Sequence, residues 1–335
     1  MKILLGFYYG IGDFISAIPI VRELSKSYDV AIAIGNQNKG LEELVNIGNT
    51  KIIYFPLFSP SKANEVIKFI SILKKERFDK IVVSPHAQDA VTSWKIPLML
   101  KYIKSSKTKI IGSIGDKNSF LYDIKIPIDK SVPLMQREID YIKLSALVDF
   151  DREIDTENIF KSHSVDKNNS IVIHPGASKQ LKEWRLDYFI KLTNLITENT
   201  SYNVTYIGLE NELFNLKSSI TQERVDFFSG SFKEAINIAI KSDCIITMDS
   251  GFGHIASALG LNHLVMIGPA NPEHIKPIFQ NTRVLNVKKL SCQPCNGHHC
   301  YVGHNYCMDI ITPKVVYENI IESIKGIKDA KNNIN

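Results

Sequence analysis

Apolar residues in this chain fall into two kinds of pattern that alternate along its length. Short unbroken runs read as strands buried on both faces: KILLGF (2–7), DVAIAIG (29–35), KIIYFPL (51–57), DKIVVSP (79–85) and TKIIGSI (108–114). Between them lie segments with helical spacing. One follows a glycine turn at 10–13 and runs to about Tyr28, with Pro19 as a kink or early-turn residue. LEELVNIG (41–48) predicts a helix ending at Gly48. Residues 62–77 place Val66, Phe69, Ile70 and Leu73 on one face, and SWKIPLMLKYI (93–103) predicts a further helix. A polar stretch from Asp149 to Asn169 lacks strong periodicity.

The alternation then restarts. SIVIHPG (170–176), YNVTYIGL (202–209), VDFFSG (225–230), CIITMDS (244–250) and HLVMIG (263–268) read as strands. Helical segments at 185–199, 212–219, 232–243 and 253–260 separate them. Strands that alternate with helices predict an α/β chain with parallel sheets. The expected organisation is a Rossmann-like domain at 1–155, a linker at 156–168 and a second Rossmann-like domain at 169–312. A C-terminal helix at 313–335 is free to cross back to the first domain. Two such domains are expected to face a central cleft, with ligands at the C-terminal ends of the strands.

Composition adds limits. The 335 residues, 44% hydrophobic and 22% charged, suit two ordinary globular cores. A net charge of +5 fits anionic ligands or an anionic membrane surface. It is too weak for nucleic acid, and no basic stripe is interleaved with aromatics. No apolar run reaches the ~18–20 residues of a membrane span. The apolar N-terminus is interrupted by Asp13 and no small-residue cleavage site follows, so it reads as strand and helix rather than a signal peptide. The expected location is the cytoplasm, with at most peripheral contact at the inner membrane face.

Candidate chemistry gathers at strand ends. Gly10-Ile11-Gly12-Asp13 is no dinucleotide fingerprint, because position 15 is Ile where a third glycine belongs. It sets a carboxylate after strand one; the competing reading is that Asp13 only caps a helix. His174-Pro175-Gly176-Ala177-Ser178, with Lys182 close behind, suits a diphosphate: backbone and hydroxyl donate and the ammonium supplies charge. Lys179 and Lys182 are equally readable as solvated lysines. Asp249-Ser250-Gly251-Phe252-Gly253-His254 ends a strand and opens a helix, whose free N–H groups and dipole favour an anion. Here the competing reading makes Asp249 the cap and His254 a satisfied histidine.

Cys292, Cys295, Cys300 and Cys307 crowd a short stretch with His298, His299 and His304. Four close thiols suit a tetrahedral zinc or iron site with a structural role. Two disulfides, which a cytoplasmic location disfavours, and four reduced thiols are the alternatives. Cys244 reads as a small buried apolar residue.

Taken together, three blocks resemble glycosyltransferase family 9, the heptosyltransferase family of lipopolysaccharide assembly. They are IGDFISAIPIVREL (11–24), IHPGASKQLKEWRLDYFIKL (173–192) and DCIITMDSGFGHIASALGLNHLVMIGPANP (243–272), and the late cysteine run also recurs there. Asn262-His263 departs from the family's small residue before proline. The resemblance implies a GT-B fold and a metal-independent, inverting transfer from a nucleotide-diphosphate sugar, usually ADP-heptose, to a glycan or lipid-linked acceptor. It implies Asp13 as catalytic base and Lys182 at the donor diphosphate; Gly12 and Ser178 are candidate donor-binding residues beside them. Asp249, Ser250, Gly251 and His254 would form the donor turn, and Glu210 a contact to the nucleoside ribose. Readings that compete with it are a protein O-heptosyltransferase with a metal-bound cysteine cluster, a nucleotide-sugar epimerase of the same fold, and a non-catalytic binding subunit.

Overall fold

The computed structural model describes all residues except 9, 57, 85–93, 130, 147–153, 157–158, 161–164, 276–280, 287–289, 296–298, 301 and 333–335. The chain divides into two compact units, Met1–Lys161 and Ser162–Asn335.

In the first unit β1 (Lys2–Tyr8) leads into α1 (Ile11–Leu24), then β2 (Asp29–Gly35) and β3 (Thr50–Phe55). Next come α2 (Ala63–Glu76), β4 (Lys80–Val83), α3 (Lys95–Ile103), β5 (Lys109–Ser113), β6 (Ile124–Ile126) and α4 (Leu134–Ala146). The strands form one parallel sheet in the order β3-β2-β1-β4-β5-β6. The near-continuous apolar strands are buried because helices pack on them, as a parallel sheet requires. One side of the core joins Leu4, Phe7, Ala33 and Phe55 with Phe69 and Leu73 of α2. Phe7 meets Phe55 edge-on, ring centres 5.4 Å apart.

The second unit repeats the plan. β7 (Ser170–His174), α5 (Leu186–Asn199), β8 (Asn203–Ile207), α6 (Glu210–Ser219), β9 (Val225–Phe228) and α7 (Phe232–Lys241) come first. They are followed by β10 (Cys244–Met248), α8 (Gly251–Ala258), β11 (His263–Ile267), α9 (Pro272–Ile275) and β12 (Thr282–Asn286). Two helices close the chain, α10 (Tyr306–Asp309) and α11 (Pro313–Asn332). The sheet order β9-β8-β7-β10-β11-β12 is the same doubly wound pattern. In both units the first strand lies between neighbours whose chains run off in opposite directions. A crevice opens at that switch point, outside the carboxyl ends of the strands. It falls between β1 and β4 in the first unit and between β7 and β10 in the second.

Several details differ from the sequence reading. Leu41–Gly48 forms only a single tight turn, Leu41–Glu43, and not the expected helix. Gly40 (φ 95°) and Gly48 (φ 62°) flank a seven-residue stretch too short to repay helix nucleation. Val45 instead bridges Phe160, and Asn46 N–H donates to Ile159 O at 2.6 Å. Ile159 and Phe160 are buried, so part of the expected linker packs on the first unit, and Arg22 pairs with Asp155 just before it at 2.7 Å. β6, α4 and β12 were not foreseen. α11 packs on α5 and β10, with Val316 and Ile320 in the second unit's core.

Candidate functional site

The second unit builds a polar site at its switch point. The turn after β7 carries His174 to Lys182, and the turn after β10 carries Asp249 to Gly251. The two turns meet: Lys182 Nζ lies 2.5 Å from Asp249 Oδ2, with both side chains largely buried. The contact is ionic, since Asp249 Oδ2 receives no well-angled hydrogen bond from the described residues. Ser250, not Asp249, is the N-cap of α8. Its hydroxyl accepts from Gly253 N–H at 3.4 Å, and its backbone is extended. Asp249 is thereby released from capping and is held, 8% exposed, beside the ammonium. Gly251 opens the helix, so the N–H groups of its first turn face the crevice outside the strands. Gly253 allows α8 to lie close on β10, because a Cβ there would come within 2.7 Å of Thr247 Oγ1.

Around this pair the structure adds groups that the sequence reading missed or set aside. Lys179 is part-buried, and burial followed by the charge of Lys182 pushes its pKa down. Asp249 and Cys295 act on it in the other direction, which puts all four groups in one neighbourhood. Ser178 is exposed on the same turn. Behind it, the His174 ring stacks flat on Phe252, centres 5.2 Å apart at 4°. Burial pushes the His174 imidazole below its ordinary pKa, and the charge of Glu212 opposes that shift. Glu212 Oε2 accepts from Leu209 N–H at 2.8 Å, and a Cβ on Gly176 would overlap its carboxylate. Glu212 thus sits between the turns that follow β7 and β8.

Glu210 does not. Its side chain is 67% exposed and pairs with Lys217 at 2.6 Å along α6. Glu210 thus points to solvent along α6, whereas Glu212, two residues on, is the acid held at the turn after β8. The signal was present in the sequence: Glu212 is the third residue of a helix whose first turn closes a strand, the position from which a carboxylate reaches back to free N–H groups. His254 lies on the first turn of α8, part-buried and near His263.

In the first unit Gly12 and Asp13 lie in the first turn of α1 at the switch point beside β1. The N-cap is Gly10, so Asp13 is not the capping residue itself. Its carboxylate folds back over Gly10, where a Cβ would approach Oδ2 to 2.7 Å. Beneath it, fully buried Glu138 of α4 accepts from Tyr8 OH at 3.2 Å and from Ser84 Oγ at 3.4 Å. Burial and then the charge of Glu138 hold the Tyr8 phenol well above its ordinary pKa, with a smaller contribution from Asp13. Tyr8 is therefore a protonated donor between two carboxylates.

The four late cysteines are free thiols and line one small cavity of about 20 Å³, together with Leu181 and Pro269. Burial and then the charges of Cys295, Cys292 and Cys300 push the Cys307 thiol up to about 11. Number, type and shared cavity fit a thiophilic ion. Among the described residues, however, no three His, Cys, Asp or Glu converge as a ligand shell, and His298 lies outside them. The loop is anchored to the segment after β11 and to the one that follows Lys182. Cys295 N–H donates to Pro269 O at 3.0 Å and Asn305 Nδ2 to Glu183 O at 3.0 Å.

The model of glycosyltransferase family 9 (heptosyltransferase) matches residues 66–305, across both units. The chain belongs to this family. Lipooligosaccharide heptosyltransferase 2 of Campylobacter jejuni (strain 81116) is 28% identical over 181 residues, 50% of this chain and 55% of that protein. The chain thus spans about half the length of that relative. The fold matches E. coli heptosyltransferase WaaC with ADP at a TM-score of 0.73 and 14% identity, over 96% of this chain and 100% of the other. It also matches the iron-containing dodecameric glycosyltransferase TibC of enterotoxigenic E. coli H10407, with TM-score 0.56 and 13% identity, over 97% and 76% of the two chains. Two parallel-sheet α/β domains of six strands each are the GT-B architecture of the heptosyltransferases. No helix among the described residues is long and apolar enough to cross a membrane.

Proposed function

We propose that this family 9 member transfers a heptosyl group, with inversion, from ADP-heptose to a hydroxyl of a lipopolysaccharide or lipooligosaccharide core glycan. The observation that carries the reading is the Lys182–Asp249 pair, which joins the two turns at the second unit's switch point. An arriving diphosphate offers Lys182 a second anionic partner, and the first-turn N–H groups of α8 and the Ser178 hydroxyl supply hydrogen bonds. Lys179 adds charge. Glu212 is the acid placed for a ribose hydroxyl. In the transfer, the acceptor oxygen attacks the anomeric carbon while the bond to the β-phosphate breaks and ADP leaves. Asp13 takes the acceptor's hydroxyl proton. Charge grows on the departing diphosphate, so Lys182 and the fixed N–H groups stabilise the transition state more than the ground state.

The chemical step is assigned no metal. An ion held by Cys292, Cys295, Cys300 and Cys307 would tie the late loop to Pro269 and to the segment carrying Lys182, a structural service. The thiol cavity keeps one second reading open, a protein O-heptosyltransferase with a metal-bound cysteine cluster. An acceptor screen with metal analysis of the purified protein separates the two.

Asp13→Asn and Lys182→Ala test the assignment jointly. Asp13→Asn is expected to keep ADP affinity and to lose roughly 10²–10⁴-fold in turnover, the usual worth of a positioned base. Lys182→Ala is expected to weaken ADP binding by about 10–100-fold, the worth of a hydrogen bond to a charged group. Wild-type turnover in the first variant removes Asp13 as base; unchanged ADP affinity in the second removes Lys182 from the donor site.

A further inference from the structure

α3 is apolar on the side where a surface helix is normally polar. Its inward face buries Ile96, Met99 and Leu100. Its outward face repeats Trp94, Leu98 and Tyr102 at four-residue intervals, 53%, 53% and 70% exposed. That spacing lines the three up as one ridge. Phe120, 72% exposed, lies on the short turn Ser119–Leu121 that packs beside α3. On the other side α2 packs beside α3 and exposes Ile67 at 63%. Isolated exposed apolar side chains need no explanation, but a contiguous set on neighbouring elements marks an interaction surface.

Charge identifies the occupant. Residues 62–109 hold eleven lysines and arginines against four acidic residues, an excess larger than the whole chain's +5. The lysines interleave with the ridge. Lys74 Nζ sits 4.0 Å over the Tyr102 ring and Lys95 Nζ 5.9 Å over that of Trp94, while Lys68, Lys74 and Lys75 are exposed on α2. Lys101 and Lys104 flank the same helix and reach Asp123 at 3.0 and 2.8 Å. Aromatic and aliphatic side chains in the middle, with amphipathic lysines around them, form the composition that lies in a bilayer interface. A self-associating copy would bring the same positive charge to both sides.

The geometry points to the α2–α3 face of the first unit as a docking surface for an anionic lipid bilayer. Trp94, Leu98, Tyr102 and Phe120 enter the headgroup region and the surrounding lysines pair with lipid phosphates. The inference rests on the transfer reading only for its purpose, which is to hold the unit against a lipid-linked acceptor.

The chain has two tryptophans, and Trp184 is 5% exposed with its N–H bonded to Ile311 O at 2.8 Å. Emission changes on binding therefore report Trp94. The test mixes the full chain with vesicles of phosphatidylcholine alone or with phosphatidylglycerol. Flotation and a blue shift are expected with the anionic vesicles, declining as salt rises. Leu98→Glu combined with Tyr102→Glu is expected to weaken partitioning by roughly tenfold or more. ADP affinity and transfer to a detached, water-soluble acceptor should stay unchanged. The proposal falls if wild type does not float, or if the double variant floats as well as wild type. It also falls if the variant changes only the oligomeric state in solution, which would make a second copy the occupant. Loss of ADP binding in the wild type would instead sink the transfer reading and leave the vesicle result standing.

Discussion

At the scale of single residues, the turn after β10 assigns different work to neighbours that look interchangeable in sequence. Asp249 and Ser250 both have the chemistry of a helix cap. The hydroxyl caps and the carboxylate pairs with Lys182, because the extended backbone of Ser250 places its oxygen at Gly253 N–H. Glu210 and Glu212 are separated in the same way. One is exposed beside Lys217, and the other is packed against Gly176 and bonded to Leu209 N–H. A helical rise of two residues turns a side chain through about 200°, which is why the two acids face opposite ways. Glu212→Ala is therefore expected to weaken ADP binding by about tenfold or more, by the worth of a charged hydrogen bond. Glu210→Ala should leave ADP affinity unchanged. Calorimetric titration of both variants decides the matter, and equal effects, or a larger one at 210, would return the ribose contact to Glu210.

At the scale of elements, apolar runs were the most legible feature. β2 spans the residues its alternation-free run indicated, and the runs at 170–176 and 244–250 became β7 and β10 with only their turn residues trimmed. What stayed hidden was set by context. α4 carries a fully buried Glu138 on the face where an apolar residue would announce a core helix; its partners are Tyr8 of β1 and Ser84 just after β4, both distant in sequence. β12 is an edge strand with a polar sequence, TRVLN, and β6 has only three residues. The site divided likewise. Lys182 and the Asp249 turn were visible as strand-to-helix junctions, whereas Lys179 matters only once folding sets it beside them. Local caps, by contrast, are written directly in the sequence. Ser231 heads α7, accepting from Glu234 N–H at 3.3 Å, while Glu234 reaches back to Ser231 N–H at 3.1 Å. Ser231→Ala is expected to cost about 1 kcal/mol, measured as a lower urea midpoint with donor affinity intact. An unchanged midpoint would mean that α7 is held by packing of Ile236 and Ala239 alone.

At the scale of the whole molecule, acid sensitivity should arise within the second unit's sheet. His263 on β11 is fully buried, with Nε2 2.9 Å from Thr247 Oγ1 and Nδ1 3.3 Å from Thr282 Oγ1. Thr282 in turn donates to Ser257 of α8 at 2.7 Å, so the ring ties β10, β11, β12 and α8 together. Burial, with some repulsion from His254, pushes its pKa down to about 3. An unfolded histidine titrates near 6.5. Above that pH neither state binds the proton and the group contributes no pH dependence. As the pH falls from about 6.5 towards 3, the unfolded chain takes up a proton that the folded one refuses. Stability therefore drops with a slope approaching roughly 1.4 kcal/mol per pH unit. The carboxylates act later: lysines 101 and 104 and the Ile110 N–H hold Asp123 down at about 2 against the cost of its burial, so its stabilising effect is lost only below about pH 4. Hydrogen exchange of β10 and β11 amides between pH 7.5 and 4 follows this limb without assuming one transition for both units. His263→Gln, which keeps a polar partner for Thr247 and does not titrate, is expected to flatten the limb above pH 4 and to leave the carboxylate limb in place. An unflattened limb would move the acid response to His174, whose pKa is also lowered by burial.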